Sequence, residues 1–162
     1  MEIKIPFYNI LNMFLTGLIF AGCCVFIFYD QIIDNPTIEK IMNISTAFNI
    51  IFVSAFYAII YEFGYIIHRM GSMVESCFRK LKFIPFNDDY KKFNERKKDY
   101  PIMEVLSREY SLSRTSFTLF FIILIISLIY CKITIAICSA LLVVLFYCSM
   151  RKFALKIIEL MN

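Results

Sequence analysis

Four apolar runs, 10–29, 41–61, 115–131 and 133–150, restrict this chain to folds whose solvent is hydrocarbon. Crossing a bilayer core of ~30 Å takes ~20 predominantly apolar residues in a helix, with a lower limit of ~17. The first two runs have that length and the last two lie near the limit. The chain is 60% hydrophobic, against ~45–50% for a soluble domain, and the excess is gathered in the runs. Backbone polar groups inside lipid must be satisfied within the segment itself. The expectation is therefore an all-α, integral membrane domain of four transmembrane helices covering residues 1–162. The first run is read as a retained span. It is longer than the ~7–15 apolar residues of a signal sequence, and its only basic flank is Lys4.

Charge gives the orientation. Fifteen of the seventeen Lys and Arg residues fall on one side of the four-span pattern. The connectors on the other side hold only Lys40 and Lys132, with Asp30, Asp34 and Glu39. Basic residues accumulate on the cytoplasmic side of a membrane. Both termini and the segment 69–114 are expected in the cytoplasm of a bacterial inner-membrane protein. The net charge of +4 then reflects topology and contact with anionic membrane lipids, and makes nucleic acid a poor partner.

The second helix is expected to outrun the bilayer. Apolar periodicity continues through Ile66, Ile67, Met70, Met73 and Val74 toward Leu81. One helix from Thr37 to Leu81 would be about 65 Å long, so it extends into the cytoplasm, with Gly71 as a candidate kink. Helix three is expected to start there too, with Asp99 as cap and Pro101 in the first position, and to run into its span. Cys131, Lys132 and Ile133 form a tight turn. Helix four ends as an amphipathic tail after Arg151 and Lys152.

One face of helix two is polar or small. At about 100° per residue, Asn43, Thr46, Ser54, Tyr57, Tyr61 and His68 share it. Helix one offers a shorter counterpart in Asn9, Asn12, Thr16 and Cys23. Such a face turns away from lipid. Two readings fit: close helix packing through small and hydroxyl residues, or a water-exposed, pore-lining surface that requires a homo-oligomer. Glu62 lies off this stripe. With the inner interface near Tyr65, it stands about a turn inside the membrane. Its expected ion-pair partner is Arg108 or Arg114, and an intramembrane carboxylate is a functional candidate. His68 and Arg69 fit an interfacial position near phosphate headgroups.

In the connecting segment, Lys91, Lys92, Arg96, Lys97 and Lys98 alternate with Tyr90, Phe93 and Tyr100. This basic patch suits anionic lipid or a soluble cytoplasmic partner protein. The six cysteines show no C-x-x-C spacing, so no metal site and no cofactor is expected. Nucleophile-elbow, P-loop and zinc-protease motifs are missing, and no catalytic residue is nominated.

The span order, inside termini and short basic segment resemble the small four-span membrane effectors and sensors of bacterial antiphage operons, such as the membrane component of the Kiwa system. The resemblance implies a membrane-perturbing or membrane-sensing role, with an ion-conducting path as its sharpest form. The rival expectation is a non-conducting anchor or adaptor that docks a soluble protein through its basic segment.

Overall fold

In a computed structural model, residues 7–29, 31, 46–80, 93, 95–97 and 100–161 are described, with side chains of 46–80 from 51 onward. Four long helices carry the fold: α1 (Phe7–Ile27), α2 (Thr46–Lys80), α3 (Ile102–Ile129) and α4 (Ile133–Met161). No strand occurs among the described residues. Each helix is long and apolar enough to cross a membrane. The α2 helix has 35 residues, about 52 Å at 1.5 Å per residue. It passes through Gly71 without a break. Its expected beginning, 37–45, lies outside the described residues.

Packing is by pairs, and the tight corner makes α3 and α4 antiparallel. The α1 helix lies along α2, α4 lies along α3, and α3 also meets α1 and α2. Glycines set the first pair. A Cβ on Gly17 would overlap the Ile60 carbonyl, and one on Gly64 would overlap the Met13 carbonyl. Two backbones can approach so closely only where both lack a side chain. Tilted ring pairs flank the crossing, Phe14 with Tyr57 at 5.8 Å and Phe20 with Phe63 at 5.7 Å between centroids.

Two apolar cores result. Ile27, Ile67, Leu119 and Ile123 form one between α1, α2 and α3. Met103, Leu106 and Tyr110 of α3 close the other with Met150, Ala154, Ile157 and Met161 of α4, backed by Phe78 and Phe93. The amphipathic tail is thus a packed element. Ala154, Ile157 and Met161 recur at helical spacing and are buried, while Arg151, Lys152, Lys156 and Glu159 stay exposed.

The start of α3 differs from expectation. Pro101 occupies the cap position with helical angles (φ −56°, ψ −25°) and no side-chain cap bond forms. The carbonyls of Tyr100 and Pro101 take the Met103 and Glu104 N–H groups at 3.0 and 3.1 Å. Proline's fixed φ suits the first turn; Asp99, the expected cap, lies outside the described residues.

The α3–α4 corner is a Schellman turn. Lys132 N–H donates to the Ser127 carbonyl at 2.9 Å and Cys131 N–H to that of Leu128 at 3.2 Å. Cys131 has φ 55°, a left-handed conformation that usually falls to glycine at this place. Cys131→Gly is expected to leave the corner intact and to raise stability by about 0.5–1 kcal/mol, as strain relief of ~1–2 kcal/mol exceeds the added chain entropy. Thermal denaturation in detergent measures this, and a lowered midpoint would refute it.

Candidate functional site: a polar junction of α1, α2 and α3

The buried face of α2 is Ile60, Gly64, Ile67, Gly71 and Glu75, spaced three or four apart so that they share one side. It is rotated by roughly 80° from the expected polar stripe. Glycine contact fixes the rotation. Gly64 meets α1, and a Cβ on Gly71 would lie 3.3 Å from Thr118 Oγ1 of α3.

The stripe residues are consequently divided. Ser54 and Tyr57 are exposed, Tyr61 and His68 are half-buried, and Tyr57 rests its ring on Phe14. Asn43 lies outside the described residues, and of Thr46 only the backbone is described. On α1, Asn9 is exposed, Asn12 and Cys23 are half-buried, and Thr16 is buried with its hydroxyl donating to the Asn12 carbonyl at 2.8 Å.

His68 bonds to α3. Its Nδ1 is 2.8 Å from Thr115 Oγ1. The Thr115 hydroxyl donates its one proton to the Ser111 carbonyl at 2.9 Å. Thr115 must therefore accept from His68, which places the imidazole proton on Nδ1. Beside this relay lies a cleft of about 210 Å³, lined by Tyr8, Asn9, Asn12 and Met13 of α1, His68 of α2, and Ser107, Arg108 and Ser111 of α3.

Deeper between α2 and α3 is a buried charge cluster. Glu75 is 4% exposed. One of its oxygens takes Arg114 Nη1 at 2.5 Å and the other takes Arg79 Nε at 3.0 Å. Glu75 and Arg79 stand four apart in the favourable order, and Arg114 comes across from α3. Buried Tyr110 faces the same carboxylate. A carboxylate with two guanidiniums is compensated in charge and in hydrogen bonds, the condition under which a buried ion persists. Among the described residues, the buried Arg114 Nε has no hydrogen-bond partner.

Glu62 is not where the sequence placed it. Arg114 pairs with Glu75 and Arg108 with Glu104, the latter at 3.6 Å. Among the described residues Glu62 has no ion pair, and it is exposed. It lies about 180° around α2 from the buried face, so neither arginine can reach it. Gly64, two residues on, abuts Gly17 at the midpoint of α1. Glu62 is therefore level with the middle of that apolar helix, within ~3 Å along the axis.

Sequence reasoning missed Glu75, Arg79, Tyr110, Ser107 and Ser111. The i, i+4 spacing of Glu75 and Arg79, in register with Gly64 and Gly71, was the available signal. In the basic segment, Lys91, Lys92 and Lys98 lie outside the described residues. Arg96 and Lys97 are half-buried, and Lys97 reaches Glu104 at 3.5 Å. No group of three metal-ligating side chains occurs among the described residues. Comparison with known proteins gave no matching family model, no matching curated protein and no matching solved structure.

Proposed function

We propose that this chain is a bacterial inner-membrane protein, with both termini and the segment 69–114 cytoplasmic, that acts as a homo-oligomer to perturb or sense the membrane. The proposed action is conduction of ions along a path lined by α2 and α1, in the service of antiphage defence. One observation carries the reading: Glu62 is exposed on the outer side of α2, level with the middle of α1. A carboxylate facing acyl chains is costly, by ~2.5–3.5 kcal/mol or more for such charged groups. A second copy placed on this face removes that cost. Ser54, Ala58 and Glu62 stand four apart on one exposed line, and small or hydroxyl residues so spaced suit close helix approach.

The test is ion flux from liposomes together with mass in nanodiscs. The wild type is expected to be oligomeric and conducting. Glu62→Ala and Ser54→Leu are each expected to reduce flux by about tenfold, as for loss of a polar ring at a constriction. Flux unchanged by both, or a monomeric wild type, would overturn the proposal. The anchor reading is supported by the second core, which makes the basic end of α3 and α4 a packed platform. A stoichiometric soluble partner, lost on charge reversal at Lys91, Lys92, Arg96 and Lys97, would favour it.

A further inference from the structure

We propose that the cleft between the first turns of α1, His68 and the first half of α3 binds a phosphate group, supplied by the headgroup of an anionic phospholipid. The cleft volume is about 210 Å³, against ~30 Å³ for each water of the liquid, so a phosphodiester headgroup fits where a single water would rattle. Its walls offer one guanidinium, from Arg108, and hydroxyl or amide donors from Tyr8, Asn9, Asn12, Ser107 and Ser111. No carboxylate lines it. Such a donor set with one fixed positive charge matches an oxyanion, and the guanidinium fork is suited to phosphate.

Arg108 is available for this. Its contact with Glu104 is 3.6 Å long, and both side chains are about half exposed at 44% and 52%. An exposed pair of that kind is worth ~0–1 kcal/mol, so a phosphate readily displaces it. Arg69 and Arg114 stand near enough to His68 to act on it electrostatically, which adds to the positive field over the cleft. Glu109, the acid acting on Tyr8, does not line the cleft itself. Position completes the argument. Tyr8, Asn9 and Asn12 occupy the first two turns of an apolar span, where headgroups and aromatic side chains meet.

The full-length protein in detergent, examined by native mass spectrometry, provides the test. Phosphatidylglycerol, phosphatidylcholine and inorganic phosphate are the probes. One phosphatidylglycerol per chain is expected, preferred over phosphatidylcholine and not displaced by inorganic phosphate at equal concentration. Arg108→Gln is expected to weaken it about tenfold, the effect of one lost charge-assisted hydrogen bond. Arg108→Lys should be intermediate, and Lys152→Gln, exposed on α4, should change nothing. If Arg108→Gln misfolds, the pair Ser107→Ala and Ser111→Ala carries the same expectation. Undiminished lipid binding in the folded variants would overturn the site. Complete displacement by inorganic phosphate would overturn the lipid as the source. Bound lipid is read independently of ion flux, so this proposal and the conducting one fail separately.

Discussion

Glu75→Ala is expected to destabilise the protein by about 3–5 kcal/mol, because removing one partner of a buried ion pair strands the other. Here two cations are stranded. Arg79 is 21% exposed and can swing outward, whereas Arg114, at 16%, is held on α3 beneath Gly71. Its Nη1 would lose its acceptor, and its Nε has none among the described residues. The Arg114→Met variant alone should be milder, since Arg79 still holds Glu75. Glu75→Met combined with Arg114→Met should recover most of the loss, as apolar replacement of a whole buried pair is often neutral or better. Thermal or denaturant unfolding in detergent measures all three. A Glu75→Ala change below 1 kcal/mol would mean that water, and not protein, surrounds the cluster.

Gly64→Leu should have the other large effect, a loss of about 3 kcal/mol or separation of α1 from α2. The obstacle is backbone, not a mobile side chain tip. A Cβ at Gly64 would run into the Met13 carbonyl and approach Gly17 N to 3.0 Å. Neither atom can move without displacing a whole helix. Gly17→Leu should reproduce the loss from the other side. Because the two glycines share one contact, the double variant should cost less than the sum. Gly22 is the control: nothing lies within 4 Å of a Cβ there, so Gly22→Ala should be neutral or stabilising by up to ~1 kcal/mol. Equal losses at Gly22 and Gly64 would show that helix propensity, and not the crossing, governs the pair.

The four helices were legible because length and apolarity are local properties that hydrocarbon demands of every span. The long continuous α2, the tight corner at Cys131 and the run from Pro101 into α3 followed from the same local reading. The rotation of α2 did not. Polarity pointed to the face of Ser54, Tyr61 and His68, while the rotation is decided by Gly17 on another helix, which meets Gly64. A contact between two residues without side chains leaves little trace in either segment alone. The same error misplaced the ion pair. Glu62 and Glu75 are both acids on α2, and only the rotation tells which one α3 can reach. His68 still reaches α3 because it lies on the margin shared by the expected and the actual face of α2.

The dependence of α4 on α3 has a mechanical meaning. The last turns of α4 grip the first turns of α3 through Met103, Leu106, Ala154, Ile157 and Met161. The same α3 continues without interruption to the Cys131 corner. A helix hydrogen-bonded throughout acts as a stiff rod some 42 Å long for 28 residues. A tug on the C-terminal turns would therefore tilt that rod as a lever, with the Gly71 contact as its fulcrum, and swing the Cys131 corner at its far end.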